Sequence, residues 1–244
     1  MNPLSGQVAI VTGASQGIGA IIARHLAAEG IHLVLTSRTT AKLEALKTEI
    51  QAQYPTVDVL LVTADVSQAA QAKAVVDKTV AHFGRVDILI NNAGVACKIS
   101  LLQETSLEDI DRTIDINLKG PIYLMKFVLP EMVSRQQGTI ININSVAGKT
   151  AYPYWSIYDA SKFGLRAITD AVAEEQAPNN IKVVGIYPGA VDTPIWDGIE
   201  LDHAPKREGM LDAETIAESV LYILRQPGKV FIPEITLKPL QPAL

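Results

Sequence analysis

The chain has a single cysteine, Cys97, so no internal disulfide can form and packing has to supply its stability. It has no apolar run of 18 residues and no basic stretch leading into an apolar one, so neither a membrane span nor a secretory leader is expected. Long runs of like charge are also absent, and the formal net charge is -5. That balance lacks the electrostatic footprint of a protein that binds DNA, RNA or an anionic membrane. The expected partner is a small molecule or another protein, and the expected location is the cytoplasm. No repeat, low-complexity tract or Pro/Ser-rich linker divides the 244 residues, which predicts one domain over 1–244. A domain of this size buries roughly 70 to 75% of its unfolded surface.

What the chain does have is alternation. Apolar, β-branched runs beginning at Gln7, His32, Val57, Val86, Thr139 and Ile181 predict buried parallel strands. Helical patterns over 18–29, 41–54, 68–83, 107–135 and 157–177 fall between them. Gly30 and Gly84 act as stops, and Ser106 with Asp109 forms a capping box. A polar loop over 195–210 reads as a lid. It leads into a helix from Ala213 to Arg225, a last strand from about Val230 and a proline-rich tail over 233–244. The expected fold is α/β, a Rossmann-type doubly wound parallel sheet of about seven strands with helices on both faces. Its ligand crevice should lie beyond the carboxyl ends of the strands.

The chemistry-bearing residues fall at those ends. "TGASQGIG", Thr12 to Gly19, follows the first strand and opens the first helix. Gly13, Gly17 and Gly19 permit a tight turn, close backbone approach to a pyrophosphate and close helix-on-sheet packing. Ser15, Gln16 and Ile18 stand where the helix start offers its N–H groups to the anion. The pattern predicts a dinucleotide site. At the end of the second strand an NAD site needs a carboxylate, whereas this chain has Ser37 and Arg38. With Ser15 these suit a 2′-phosphate, so NADP(H) is expected ahead of NAD(H). Gln16 is neutral where a second base would strengthen that reading. "NNAG" supplies Asn91, Asn92, Ala93 and Gly94 to pin strand ends and leave backbone room for a ribose. Asp65 and Val66 close the third strand, where they bracket an adenine or, for the carboxylate, cap the helix that follows.

"YDASK" sets Tyr158 and Lys162 one turn apart on one helix face. A phenol titrates near pH ~10, and a cation held close lowers that value toward the working range. Ser145 in "NSVAG" ends the fifth strand at the same rim, placed to orient a carbonyl. Asn117 carries an argument of its own. Pro121, four positions later, has no N–H, so the Asn117 carbonyl loses its usual helix partner and is open to water. A kink there also accounts for the excessive length of the 107–135 pattern.

In order and spacing, TGxxxGxG, NNAG, a serine followed by YxxxK, and "PGAVDTP" resemble the short-chain dehydrogenase/reductase family over nearly the whole chain. The resemblance implies a catalytic tetrad of Ser145, Tyr158, Lys162 and Asn117. In it the serine polarises a carbonyl, the tyrosine moves the proton, the lysine tunes the tyrosine and holds the nicotinamide ribose, and the asparagine holds a relay water. It also implies hydride transfer at a nicotinamide, with Pro188 and Gly189 turning over the ring and Val191 and Thr193 meeting its carboxamide. A homodimer or homotetramer is implied by the same likeness. No metal is expected. Candidate substrate contacts are Ser145, Tyr152, Trp155, Ile195 and Trp196, with Tyr154 as a further part of an aromatic mouth. Lys98, Lys149, Lys206 and Arg207 are candidate partners for an acidic substrate.

The expected activity is that of an NADP(H)-dependent carbonyl reductase or 3-hydroxy-acid-type dehydrogenase. A 3-oxoacyl-carrier-protein reductase is the alternative, although the last strand lacks the Gly-Gly pair usual there. A non-enzymatic NADP-binding regulator is the alternative of another class, and the complete tetrad counts against it.

Overall fold

The computed structural model describes residues 3–96, 99–197 and 207–240. Seven strands, β1 (Val8–Thr12), β2 (His32–Ser37), β3 (Val59–Thr63), β4 (Ile88–Asn91), β5 (Gly138–Ile143), β6 (Ile181–Pro188) and β7 (Glu234–Leu237), form one sheet. Their order is β3-β2-β1-β4-β5-β6-β7, and every pairing is parallel. The strand order reverses between β1 and β4, which opens a crevice beyond their carboxyl ends. All five residues of β1 are buried, as a strand covered on both faces requires.

The period-2 alternation of a strand divides the core into two halves. Ala9, Val11, Leu33, Leu35, Ile88 and Ile90 face one way, onto α1 (Gly17–Ala28), α2 (Thr40–Gln53) and α7 (Ala213–Leu224). Val8, Ile10, Val34, Leu89, Ile140 and Val183 face the other way, onto α3 (Ala69–Phe83), α5 (Gly120–Arg135) and α6 (Ser156–Gln176). Among the described residues no helix is long and apolar enough to cross a membrane.

Two elements differ from the sequence expectation. The 107–135 pattern is not one kinked helix. It is α4 (Leu107–Ile114), a π-helical segment over Asp115–Lys119, and α5. The Gly120 N–H reaches back five residues to the Asp115 carbonyl, so the extra residue is absorbed in a wide turn, and Pro121 falls in the opening turn of α5, where proline is tolerated. The Ser106 cap does form, with the Asp109 N–H donating to the Ser106 Oγ at 3.1 Å. The last strand begins at Glu234 rather than Val230 and lies inside the stretch read as a tail. Val230 instead closes a turn onto the Pro227 carbonyl at 2.8 Å. β7 is an edge strand with a proline just outside each end region, Pro233 and Pro239, where a missing donor costs least.

At the opposite, amino edge of the sheet one carboxylate ties three elements together. Asp87 is 3% exposed and accepts from the Val8 N–H at 2.9 Å, from Arg85 at 2.6 Å and from Arg135 at 2.6 Å. Burial pushes its carboxyl pKa up, but the two guanidinium partners and the backbone donor outweigh that and hold it below the usual carboxylate value. A depressed native pKa stabilises the fold above the unfolded value, and the contribution is lost as pH falls through the native one. Asp87→Asn should therefore cost about 3–5 kcal/mol, because two cations lose their shared counter-charge. Urea unfolding at neutral pH should show this loss, and the variant's deficit should shrink in acid as the native Asp87 is itself protonated.

Candidate active site

A cleft of about 1140 Å³ runs across the carboxyl edge, from the glycine loop and Arg38 at one end to Trp155 and Trp196 at the other. The adenosine half is built from backbone. Gly13 and Gly17 have φ of +64° and +55°, in the left-handed region that glycine alone adopts without strain. A Cβ on Gly13 would lie 2.9 Å from the Ala93 Cα, and one on Gly19 would run into the Gly13 carbonyl. Thr12 fastens this loop to the next one. Its hydroxyl donates to the Ile90 carbonyl at 3.2 Å and accepts the N–H groups of Asn92 and Ala93, each at 2.9 Å. The Asn92 side chain returns a bond to the Thr12 carbonyl at 2.9 Å. The result is a close-packed, backbone-walled cradle at the start of a helix, which fits a pyrophosphate.

Ser15, Gln16, Ile18, Ser37, Arg38, Val66 and Gly94 also line the cleft. Arg38 is exposed and has no ion pair among the described residues. Asp65 is not among the lining residues. Its Oδ1 accepts the Ser67 N–H at 3.0 Å and the Ser67 hydroxyl at 2.7 Å, just ahead of the helix that follows.

The catalytic half forms where α6 meets the end of β5. Lys162 is 5% exposed, and its Nζ donates to the Ile143 carbonyl at 3.1 Å. Burial of the ammonium lowers its pKa to about 8. The same Nζ lies 5.7 Å from the centre of the Tyr158 ring. Ser145 lines the cleft beside them, and its Oγ accepts the Ala147 N–H at 3.1 Å, which leaves the hydroxyl proton to be donated elsewhere. The two elements touch through backbone: a Cβ on Gly148 would lie 2.8 Å from the Lys162 carbonyl oxygen and 2.7 Å from the Asn144 Oδ1. The Asn144 amide donates to that same carbonyl at 3.2 Å.

Asn117 sits in the π segment, 1% exposed, with its side chain fully engaged. It accepts from the Val95 N–H at 2.8 Å and donates to the Val95 carbonyl at 2.9 Å and to Ser161 Oγ at 3.2 Å. The side chain thus clamps the loop after β4 to α6.

The substrate end is aromatic. Trp155 meets Tyr158 at a ring-centre distance of 5.6 Å and Trp196 at 6.0 Å, both edge-to-face. Trp196 is fixed by its indole N–H, which donates to the Val191 carbonyl at 2.9 Å. Tyr152 is held through its N–H by the Asp159 carboxylate at 2.7 Å. Pro188, Gly189, Val191, Thr193 and Ile195 complete this wall. Tyr154 stands outside the lining, at φ +71°, with its carbonyl accepting from the Ser100 N–H. Two of the cations expected to meet an acidic substrate are already matched. Lys149 binds Glu234 at 2.6 Å, and Arg207 binds both Asp192 and Asp197. Arg207 thereby ties the far end of the 195–210 loop back to its near end, while Lys98, Lys206 and 198–206 lie outside the described residues. Among the described residues no group of three or more His, Cys, Asp or Glu side chains could hold a metal ion.

Residues 7–204 match the family model described as short chain dehydrogenase. The chain belongs to the short-chain dehydrogenase family. An uncharacterized oxidoreductase of Staphylococcus saprophyticus is 38% identical over 239 residues, covering 98% of this chain and 100% of that one. Among solved structures, the alcohol dehydrogenase of the archaeon Thermococcus sibiricus, complexed with 5-hydroxy-NADP, superposes with a TM-score of 0.87 at 32% identity, over 96% of this chain and 97% of that one. A metagenomic short-chain oxidoreductase in complex with NADP superposes at 0.85 with 34% identity, over 98% and 99% of the two chains.

Several residues of this short-chain dehydrogenase site escape a reading by motif. Thr12, Asn144 and Asp159 lie within motifs, but the bonds by which they hold the loop at Asn92, the Lys162 backbone and Tyr152 are not stated by those motifs. Asp109 and Arg112 of α4 line the wall facing the aromatics, though the sequence marks Asp109 only as part of a cap. Gly148 carries the sharpest consequence. Gly148→Ala forces α6 away from the end of β5 and moves Ser145 relative to Tyr158 and Lys162. Turnover should fall by about 10²-fold, the scale set by a 1 Å misplacement, while nucleotide affinity at the glycine loop changes little. Parallel rate and binding titrations check this, and an equal loss in both would mean that the damage is general.

Proposed function

We propose that the protein is an NADP(H)-dependent carbonyl reductase, reversible as a secondary-alcohol dehydrogenase. The observation that carries this reading is the buried Lys162 ammonium beside Tyr158, with Ser145 on the same cleft wall. The nucleotide, when bound, supplies or accepts the hydride at its nicotinamide. The glycine loop and the N–H groups at the start of α1 hold its phosphates. Arg38, exposed at the end of β2 with no acid in the adjoining "TSRTT", favours the 2′-phosphorylated form, and the NADP named in the two solved relatives supports that choice.

On the substrate side, the Ser145 hydroxyl donates a hydrogen bond to the carbonyl oxygen. Tyr158 gives its proton to that oxygen as the carbonyl carbon gains the hydride, so the carbonyl becomes an alcohol and the phenol a phenolate. Lys162 keeps the phenolate accessible near neutral pH by placing positive charge next to it. Asn117, in the π segment next to α6, stands where it would hold a water that returns a proton to this group.

The expected substrates are neutral aldehydes and ketones with some bulk beside the carbonyl. Trp155 and Trp196 offer apolar faces there, and the carboxylate partners of Lys149 and Arg207 leave those two cations unavailable to a substrate acid. This ranks neutral carbonyl compounds ahead of the 3-hydroxy acids.

A panel of neutral aldehydes and ketones and of 3-oxo acids, followed by NADPH consumption, tests the reaction and the substrate preference together. Tyr158→Phe should keep nucleotide affinity and lower kcat by at least ~10²; a variant that turns over at the wild-type rate would remove Tyr158 from the chemistry. The pH profile supplies a further check. Lys162 is cationic below its value of about 8 and loses its proton above it. Carbonyl reduction needs both that charge and the Tyr158 proton, so kcat/KM for reduction should fall as pH rises through about 8.

A further inference from the structure

The neutral Gln16 leaves the glycine loop without the second base that a 2′-phosphate site favours, and the structure brings one in from elsewhere. Lys42, in the first turn of α2, donates from its Nζ to the Gln16 Oε1 at 2.5 Å. Gln16 lines the cleft with Ser15, Ser37 and Arg38, and the Lys42 ammonium bonded to it stands just behind that lining at the adenosine end.

Three features separate the contact from an ordinary surface pair. The partner is neutral, so the positive charge of Lys42 is held in place without being cancelled. By contrast Arg24, Lys73, Lys119, Lys149, Arg207 and Arg225 each sit on a carboxylate. The position is also poor for the helix itself, because a cation in the first turn opposes the helix dipole, and α2 has no acid there to compensate. Finally, an ammonium only donates, so the Gln16 oxygen must face Lys42, and the amide N–H groups are turned away from it as further donors. With Arg38 this makes two uncancelled cations at one end of the cleft, against the charge of roughly -2 that a phosphate monoester carries.

We infer that Lys42 is the second cation of the 2′-phosphate site and that Gln16 is the bracket holding it there. The proposal rests on the NADP(H) reading above and goes beyond it by naming a determinant of the preference that does not lie in either motif. Lys42 supplies by tertiary contact the charge that the loop position itself omits.

The test is binding and needs no turnover. Kd values for NADPH and NADH are measured by calorimetry on the wild type and on Lys42→Met, Lys42→Arg and Arg38→Met, each first checked for an unchanged Tm. Lys42→Met should weaken NADPH on the order of 10- to 100-fold, as expected for one charge-assisted hydrogen bond, and leave NADH unchanged. Its NADPH affinity should also depend less steeply on salt, and Lys42→Arg should retain most of the wild-type preference. An unchanged NADPH Kd in Lys42→Met, with a loss in Arg38→Met, would overturn the proposal, as would an equal loss for NADPH and NADH, which would make Lys42 a loop brace. A wild type that binds the two nucleotides equally would overturn the NADP(H) reading itself, a result distinct from either.

Discussion

The catalytic half of the molecule depends on a backbone contact. At Gly148 the chain leaving β5 passes so close to α6 that no side chain fits between it and the Lys162 carbonyl. That contact sets the distance between the two elements that carry the proposed chemistry, Ser145 on one and Tyr158 with Lys162 on the other. Asn144 reinforces it with a hydrogen bond to the same carbonyl, and Lys162 adds another through its Nζ to Ile143. The Lys162 ammonium is expensive to bury, with the Ile143 carbonyl and the Tyr158 ring beside it, and that burial depresses its pKa.

The two edges of the sheet carry different duties. At the amino edge, Asp87 satisfies its buried charge completely and joins β1, β4 and α5, well away from any cleft. Between the edges, Asn91 donates to Asn142, and Asn142 to Thr169, so β4, β5 and α6 are also tied together by amides inside the core. Rigid connections below leave the carboxyl edge free to hold groups in less comfortable states, among them a buried lysine, positive-φ glycines and a π turn. The π segment shows the same division. It spends an extra residue so that the Asn117 side chain can grip both Val95 and Ser161, joining the loop beside the cleft to the helix of the tetrad.

How much of this is legible in the sequence follows from how local each cause is. The buried parallel strands announce themselves as β-branched runs, and the glycine loop, NNAG and YxxxK state their conformations within a few residues, so the sheet and most of the site can be read directly. Pro121 signals that the long helix breaks but not how, because a π turn is a choice among backbone pairings. β7 is displaced because a four-residue edge strand with alternate residues exposed has a weaker pattern than the apolar stretch at Val230 before it. Asp65 and Tyr154 adjoin the site in sequence, but the bonds of Asp65 Oδ1 to Ser67 and of the Tyr154 backbone carbonyl to Ser100 depend on loop geometry that no motif states. Asp87 and Lys42 go unmarked for the opposite reason. Each takes its meaning from a partner brought alongside by the fold, and no spacing rule connects them.

The distribution of charge along the cleft then gives it a direction. At the substrate end Arg112 is matched by Asp109, Lys149 by Glu234 and Arg207 by two aspartates, while the buried Lys162 ammonium beside Tyr158 bonds a backbone carbonyl. At the adenosine end Arg38 has no acid among the described residues, and Lys42 has only an amide. Those two cations suit the phosphorylated ribose of a dinucleotide. The opposite end is walled by the indoles of Trp155 and Trp196 and holds the buried Lys162 charge beside Tyr158, so the two ends differ in how their charge is placed: exposed at the adenosine end, buried at the other.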